Sequence, residues 1–273
     1  MSSASPDEIR ELLDFATAVA REAGDLTLRW YGGLVDYDAK GDGSPVTVAD
    51  RSAETLIRER IAERYPDHGV LGEEFGESRP GARVRWILDP IDATRSFMRG
   101  VPLYGVLVGI EVDGAPVVGV AHFPSLAETV AAGAGLGCTW NDAPCRVSPV
   151  TRIEDALVLT TDVERILARP EGAGWRRLQG RAAFSRTWGD CYGHALVATG
   201  RAEVMVDPVM KPWDAGPFLT LVTEAGGRFT TREGVASIHG GSGISTNGAL
   251  HEEVLRELAG PQDPPAVVRS TAV

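Results

Sequence analysis

Cysteine, histidine and positive charge are all scarce in this sequence of 273 residues. The three cysteines, Cys138, Cys145 and Cys191, form no C-x-x-C pair. Their odd number and spacing favour free thiols in a reducing compartment over disulfides or a zinc site. The five histidines form neither an H-x-H nor an H-E-x-x-H motif. A zinc hydrolase is therefore not expected.

The balance of charge excludes two classes of partner. The formal net charge is -11, whereas nucleic acids and anionic lipid surfaces attract basic patches. The longest uncharged apolar stretch, residues 101–110, is about half of the roughly 20 residues that a membrane-spanning helix needs. The first residues, "MSSASPDEIRE", have no basic and apolar leader pattern, so we expect a cytoplasmic protein that binds neither nucleic acid nor membrane.

Two amphipathic helices are predicted near the start of the chain. Ser5 can cap the first helix, whose apolar residues recur at helical spacing until the pair Gly32-Gly33, which is expected to end it. The second helix is predicted from near Thr47 to about Tyr65, with Asp50 in its first turn.

Strand patterns dominate the middle of the sequence. Residues 84–132 alternate between apolar runs and turn residues, and Asp113-Gly114 and Asn141-Asp142 indicate hairpins of a largely antiparallel sheet. The second half predicts a strand at "DALVLTT", a helix over residues 189–199, a strand at "AEVMVD" and a helix over residues 214–225. Runs of helices and strands favour a layered α/β architecture with a mixed sheet.

Carboxylates recur beside glycine and apolar residues at three places in the chain. The motif "WILDPIDATRSF" carries Asp89 and Asp92, "VLGEEFG" carries Glu73, and "KPWDAG" carries Asp214. Any one of these acids alone is more commonly structural, as a cap or a turn residue. Together they would repel one another unless they took up protons or held divalent cations. Magnesium is the favoured ion because it prefers oxygen ligands and commonly binds carboxylates together with substrate phosphate.

The local sequence around these acids supports a phosphate site. Pro90 favours an extended backbone at Asp89, so Asp92 can face the same point from the following turn and the Ile91 carbonyl is available as a further ligand. A short helix is predicted to start near Thr94, and helix N-termini present amides that suit a phosphate oxygen.

The sequence resembles the inositol monophosphatase family of magnesium-dependent phosphatases over nearly the whole chain. The resemblance is carried by a set of motifs: "GEE", "WILDPIDATRSF", "WDAG", "SPVTVAD", "TEAGG" and "STNGALHEEVL". The resemblance implies the layered α-β-α-β(-α) sandwich of inositol monophosphatases and fructose-1,6-bisphosphatases, with mixed and largely antiparallel sheets. It also implies one phosphatase domain in two lobes, residues 5–150 and 151–259, and relatives of this kind are commonly homodimers. Residues 260–273 have little to bury and are expected to form a disordered tail.

The resemblance also implies roles for individual residues. One Mg²⁺ would be held by Glu73, Asp89 and the Ile91 carbonyl, a second by Asp89, Asp92 and Asp214, and a third, weaker ion would lie near Glu73. Thr94, paired with Asp50, would orient the attacking water and help to deprotonate it. The amides of Ala93 and Thr94 would hold the phosphate.

Ala93 departs from the family pattern, which has glycine at this position. A positive φ would cost alanine on the order of 1 kcal/mol, whereas a helical conformation would cost little. The helical conformation is predicted here.

The choice of substrate is predicted from the second half. "RTWGDCYGHALVATGRAEVMVDP" and "LGEEFGE" resemble the histidinol-phosphate phosphatase branch of the family. Asp190 and Asp207 would bring negative charge toward a cationic amino alcohol, although each could equally be structural, as a helix cap and a strand end.

The preferred reading is a phosphomonoesterase that cleaves L-histidinol phosphate in histidine biosynthesis. Inositol-1-phosphate is the second candidate substrate, and an adenosine bisphosphate is disfavoured because no basic cluster is present for a second phosphate. The alternative from a different functional class is a regulator that binds metal or phosphate without catalysis. In that case Ala93 would be a sign that catalytic function has been lost. The retention of Glu73, Asp89, Asp92, Asp214, Asp50 and Thr94 argues against it.

Overall fold

Two mixed β-sheets and the helices packed on them form the computed structural model, which describes residues 4–33, 36–39, 41 and 45–259. The expected disordered tail, residues 260–273, lies outside this range. The helices are α1 (Pro6–Thr27), α2 (Val48–Arg64), α3 (Thr94–Met98), α4 (Val163–Leu167), α5 (Gly172–Arg181), α6 (Asp190–Ala198), α7 (Pro212–Ala215), α8 (Phe218–Glu224) and α9 (His251–Ala259).

The two predicted N-terminal helices are present, but the first is shorter than expected. The Ser5 hydroxyl caps α1 by accepting a hydrogen bond of 3.2 Å from the Glu8 amide. The prediction that Gly32-Gly33 ends this helix is wrong, since α1 ends at Thr27. The amides of Arg29 and Trp30 bond to carbonyls three residues back, at Leu26 and Thr27, and these tighter turns follow the end of the α-helix.

The larger sheet has eight strands and forms the centre of the first half of the chain. Its strands are β3 (Gly69–Gly72), β4 (Gly76–Ser78), β5 (Val84–Asp92), β6 (Gly105–Val112), β7 (Ala115–Phe123), β8 (Glu128–Gly133), β9 (Gly137–Trp140) and β10 (Ala143–Cys145), in the order β10-β9-β8-β7-β6-β5-β3-β4. All neighbours are antiparallel except β3 and β5, which are parallel. Both predicted hairpins are confirmed, at the β6–β7 and β9–β10 turns.

The smaller sheet has five strands, and a two-stranded ribbon precedes α2. The smaller sheet comprises β11 (Leu157–Thr160), β12 (Phe184–Arg186), β13 (Val204–Asp207), β14 (Arg228–Thr230) and β15 (Gly243–Thr246), and the ribbon comprises β1 (Tyr37–Ala39) and β2 (Pro45–Thr47). In the order β12-β11-β13-β15-β14, the first three strands are parallel and the last two pairings are antiparallel. The predicted layered α/β architecture with mixed, largely antiparallel sheets is confirmed.

Helices cover both faces of the larger sheet. Apolar side chains of α1 and α2 share a buried cluster with alternate residues of β5, β6 and β7. On the opposite face, residues of α6 and α8 share a second cluster with Ile87, Leu107 and Ala121 of the same strands. The larger sheet is thereby buried on both sides. Within the described ranges, no helix combines the length and the apolar character needed to cross a bilayer.

The helix predicted over residues 214–225 is in fact two short helices, α7 and α8, on either side of Gly216 and Pro217. Proline has no amide hydrogen to donate within a helix, so a continuous helix is disfavoured at this point. The backbone here lies directly on the larger sheet. A Cβ atom on Gly109 of β6 would lie 2.7 Å from the Gly216 carbonyl carbon, and one on Gly119 of β7 would lie 2.2 Å from the Pro217 oxygen. Glycine at these two strand positions therefore allows the backbone between α7 and α8 to pack directly against the larger sheet.

Candidate active site

Two carboxylates lie at the end of β5, in the middle of the larger sheet. The pairing of β5 with β6 shifts register between Asp89 and Asp92, so the strand is irregular where the two acids occur. Asp89 is buried, and its Oδ1 accepts a hydrogen bond of 3.1 Å from the Ile91 amide. This irregular strand end directs both carboxylates toward one point, as the Asp-Pro-Ile-Asp spacing predicts.

Asp214 completes a cluster of three carboxylates. One oxygen each of Asp89, Asp92 and Asp214 lie within 4.8 Å of one another, close enough to hold one metal ion. Asp214 lies in the first turn of α7, where its Oδ2 accepts a hydrogen bond of 2.7 Å from the Lys211 amide. The close contact of α7 with the sheet therefore brings Asp214 to the end of β5.

Glu73 lies beside this cluster because β3 runs parallel to β5. Gly72 pairs with Leu88, and the amide of Glu73 donates a 3.2 Å hydrogen bond to the Leu88 carbonyl. The charge of Glu73 acts on Asp89, Asp214 and Asp50, in each case raising the pKa of the carboxyl group. Glu73 therefore lies close enough to the cluster for its charge to act on two of its carboxylates, Asp89 and Asp214.

The cluster carries unfavourable negative charge. Burial is the main cause that raises the pKa of Asp89, followed by the charges of Glu73 and Asp92. Burial and the charges of Asp190 and Asp214 raise the pKa of Asp92, and burial raises that of Asp214 to about 7. Desolvated carboxylates of this kind are stabilised by a divalent cation. An all-oxygen donor set fits Mg²⁺, which is a hard cation.

Asp50 and Thr94 each form hydrogen bonds within their own segment of the chain. The Asp50 Oδ2 accepts hydrogen bonds from the Thr47 amide at 2.8 Å and the Thr47 hydroxyl at 2.5 Å, which makes the capping box of α2. The Thr94 hydroxyl donates to the Ile91 carbonyl at 3.1 Å. Each group has a hydrogen-bond partner on its own segment, and the joint action of Thr94 and Asp50 on the attacking water stays a prediction. Burial is the main cause that raises the pKa of Asp50.

Ala93 has a left-handed backbone, with φ 66° and ψ 46°. The prediction of a helical conformation is therefore wrong, because the chain turns sharply here from β5 into α3. The Ala93 carbonyl accepts bonds from the amides of Ser96 and Phe97. Within the part of the chain that the structure describes, the amides of Ala93 and Thr94 donate no hydrogen bond. These two amides are consequently available to an anion.

The start of α6 carries Asp190 to the same place from the second half of the chain. Asp190 has a φ of 50°, and its amide donates a 2.8 Å hydrogen bond to the Thr161 hydroxyl. The next amide, of Cys191, donates to Asp92 Oδ2 at 2.7 Å. Asp207 is buried at the end of β13, and burial together with the charge of Asp207 raises the pKa of Asp190 to about 7.

A cavity of about 130 Å³ joins the acids of both halves. Asp92, Asp190, Asp207 and Asp214 all line it, so the sequence-predicted substrate residues border the predicted metal ligands. A wider depression of about 560 Å³ lies next to it and is lined by residues that include Ala93, Thr94, Arg95, Thr161 and Arg165. The arrangement can hold a small molecule with one end at the three-carboxylate cluster and the other against Asp190 and Asp207.

Sequence reasoning missed two groups of residues. Asp162 and Arg165 enter the site from the start of α4, in a stretch with no recognisable motif. Glu54 of α2 is fully buried and accepts hydrogen bonds from the Glu74 amide at 2.8 Å and the Arg58 guanidinium at 2.7 Å. Glu54 therefore positions the loop that carries Glu73. The sequence signal that could have predicted the burial of Glu54 is its position between the apolar residues on the buried face of α2.

Comparison with known proteins identifies relatives over almost the full length. Residues 8–261 match the model of the inositol monophosphatase family. A histidinol-phosphatase of Chlorobaculum parvum is 44% identical over 248 residues, which are 90% of this chain and 96% of that protein. A histidinol-phosphatase of Mycobacterium tuberculosis is 37% identical, over 90% of this chain and 97% of that protein.

Solved structures have the same fold. The extragenic suppressor protein SuhB of Bartonella henselae superposes with a TM-score of 0.85 at 29% identity, covering 91% of this chain and 98% of that one. An inositol monophosphatase of Anabaena gives a TM-score of 0.81 at 29% identity, covering 92% of this chain and 96% of that one.

Proposed function

The chain belongs to the inositol monophosphatase family and is a phosphoric monoester hydrolase, and we propose that it cleaves L-histidinol phosphate with water to give L-histidinol and phosphate. One observation carries the choice of substrate. Asp190 and Asp207 extend the acidic cavity away from the three-carboxylate cluster, so the side that receives the leaving group is negatively charged. Histidinol carries an ammonium group and an imidazole, which carboxylates bind well.

The names of relatives support the same substrate. The Chlorobaculum and Mycobacterium proteins are named histidinol-phosphatases, and this chain aligns with nearly the whole of each. Because the alignments span both sheets, they include the acids of the first half and the start of α6.

We assign the metal site to the residues that cluster at the end of β5. Glu73, Asp89 and the Ile91 carbonyl would hold one Mg²⁺, and Asp89, Asp92 and Asp214 a second; a third, weaker ion would lie near Glu73. When bound, such ions neutralise the phosphate charge and lower the pKa of water. The buried, mutually repelling carboxylates support this assignment, because they have the charge and the oxygen donors that Mg²⁺ requires.

The remaining residues would hold the phosphate and the attacking water. The amides of Ala93 and Thr94, in the turn between β5 and α3, would donate two hydrogen bonds to the phosphate oxygens. We assign to the Thr94 hydroxyl and the Asp50 carboxylate the orientation of the water and the acceptance of its proton. In this role, the Thr94 hydroxyl would give up its hydrogen bond to the Ile91 carbonyl and form one with the attacking water instead.

Inositol-1-phosphate is the second candidate substrate. Structures of inositol monophosphatases share the fold, and an inositol-1-monophosphatase of Synechocystis is 31% identical over 93% of this chain. Inositol offers hydroxyl groups but no cation, so it would bring no positive charge to Asp190 and Asp207. A silent regulator is disfavoured because every acid assigned to the metals and to the water is retained. We further propose a homodimer in the cytoplasm.

Phosphate release tests this function directly. The purified protein is given histidinol phosphate or inositol-1-phosphate at matched concentrations with Mg²⁺, and Asp92→Asn serves as the blank. A strong preference for histidinol phosphate supports the proposal. Preference for inositol-1-phosphate would keep the hydrolase and reject the role of Asp190 and Asp207. Release from neither would contradict the assigned catalytic machinery.

A further inference from the structure

Two of the three cysteines face each other across the β9–β10 hairpin, away from the residues assigned to catalysis. Cys138 and Cys145 are direct partners in the antiparallel register, and their sulfur atoms are 3.5 Å apart. Directly opposed residues in an antiparallel pair have Cα atoms about 4.5–5.5 Å apart, and disulfides need about 4.4–6.8 Å. The backbone therefore already meets the geometric requirement of a disulfide while both residues are thiols.

The two thiols differ in their surroundings. Cys138 is 4% exposed and packs in the cluster between the larger sheet and α8, whereas Cys145 lies nearer the surface and is only partly buried. A reagent in solution therefore meets Cys145 first. Cys138 is more deeply buried, and its sulfur is 3.5 Å from that of Cys145.

A cation lies beside the more accessible thiol. The Arg201 guanidinium sits 4.2 Å over the Trp140 ring and is also hydrogen bonded to Glu128 at 2.8 Å. The hydrogen bond that joins the Cys145 and Cys138 sulfurs is the main cause that lowers the pKa of Cys145; burial opposes this, and the positive charge of Arg201 lowers the pKa further. Partly exposed cysteines next to cations are the ones that react as thiolates.

We propose that Cys138 and Cys145 form a reversible redox pair, with Cys145 as the attacking thiol, Cys138 as the resolving thiol and a low-molecular-weight disulfide such as glutathione disulfide as the oxidant. The Cys145 thiolate attacks one sulfur of glutathione disulfide and expels a glutathione thiolate, which leaves a mixed disulfide. Cys138 then loses its proton and attacks the Cys145 sulfur. A second glutathione leaves, so two protein thiols are oxidised as one glutathione disulfide is reduced to two glutathiones.

The inference differs from the expectation of three independent free thiols. It does not depend on the proposed function, because the pair lies on β9 and β10 rather than at the three-carboxylate cluster. Cys191 provides an internal comparison. It is only 2% exposed, so a reagent in solution should reach it last.

The test is thiol mapping of the folded, full-length protein. The reduced protein is incubated with glutathione disulfide at neutral pH, quenched with an alkylating reagent, unfolded and alkylated with a second reagent of different mass. Peptide masses should show Cys138 and Cys145 joined and Cys191 labelled only after unfolding, and dithiothreitol should restore both thiols.

Two matched variants assign the roles. Cys138→Ala should trap a stable mixed disulfide at Cys145, and Cys145→Ala should react at least tenfold more slowly, with circular dichroism confirming that each variant folds. The proposal is rejected if wild type keeps a mixed disulfide at Cys145, if Cys191 reacts first, or if no disulfide forms in the folded protein. The wild-type result decides the question even where a variant does not fold.

Discussion

The backbone amide of Cys191 donates a 2.7 Å hydrogen bond to a carboxylate oxygen of Asp92, and so joins the start of α6 to the end of β5. The two residues belong to different halves of the chain, and Asp92 also belongs to the cluster with Asp89 and Asp214. Asp92 therefore links the predicted metal site at the end of β5 to the predicted substrate site at the start of α6.

Asp92→Asn is expected to abolish turnover while the protein stays folded. The asparagine carbonyl oxygen can still accept the Cys191 amide, but the charge needed for metal binding is lost. We expect phosphate release to fall by about a thousandfold or more, since stabilisation of phosphate charge supplies several kcal/mol. Unchanged turnover in a folded variant would overturn the metal assignment.

Magnesium is expected to raise the melting temperature of the wild-type protein. The ion binds the folded cluster and relieves its repulsion, so a concentration of one hundred times Kd should add about 2.7 kcal/mol to the free energy of unfolding. Melting curves with Mg²⁺ and with EDTA, at equal ionic strength, measure the effect. Asp92→Asn should show a much smaller shift, and an equal shift would place the ion elsewhere.

Asp190→Asn is expected to lower kcat/KM for histidinol phosphate about tenfold to a hundredfold, which matches the loss of a hydrogen bond to a charged group. Asparagine tolerates the positive φ of Asp190, so the start of α6 should be retained. Asp113→Asn, at an exposed turn residue with φ 51°, is the matched control and should have no effect. An equal loss with inositol-1-phosphate would show that Asp190 does not select the cation.

Ala93→Gly is expected to stabilise the protein by up to about 1 kcal/mol, because glycine adopts the left-handed conformation without the clash of a Cβ atom. Denaturant unfolding measures the change. Ala168→Gly is the comparison: this exposed alanine at the end of α4 has φ -77°, so glycine there should be destabilising. A loss of stability in Ala93→Gly would show that the turn is not strained.

His122 is expected to make the fold less stable in acid. Burial, with the charge of Arg21, lowers the pKa of His122 from 6.5 to about 4, although the charge of Asp25 opposes this. The unfolded state therefore binds more protons between pH 6.5 and 4, and stability falls as the pH falls through that window, by up to about 3 kcal/mol.

The variant His122→Gln isolates this contribution. Its free energy of unfolding should depend less steeply on pH between 6.5 and 4 than that of the wild type. Parallel slopes for the two proteins would mean that His122 does not titrate differently on folding.

Much of the site was predictable from the sequence because short motifs carry it. The Asp89 and Asp92 spacing and the cap at Thr47 are local features, and the structure has both. The place of Asp214 beside them was implied by the resemblance to the inositol monophosphatase family, and the structure brings the three carboxylates together.

The errors arose where tertiary contacts decide the conformation. Ala93 is left-handed because β5 must turn at once into α3, a demand that overrides the preference of alanine. The sequence did not indicate the bond from the Thr94 hydroxyl to the Ile91 carbonyl, because the turn at Ala93 brings these two groups together. Glu54 is buried by the loop that it holds, so only the assembled fold shows its role.

The split of the site between the two sheets also governs when activity arises during synthesis. The larger sheet is complete once Cys145 has left the ribosome, but the cluster still lacks Asp214, and Asp92 still lacks the Cys191 amide. Domains generally fold as their residues emerge, so a nascent chain can hold the sheet before it holds the site. Chains that end before Asp214 therefore lack the complete three-carboxylate cluster, and we expect them to be inactive toward phosphate esters.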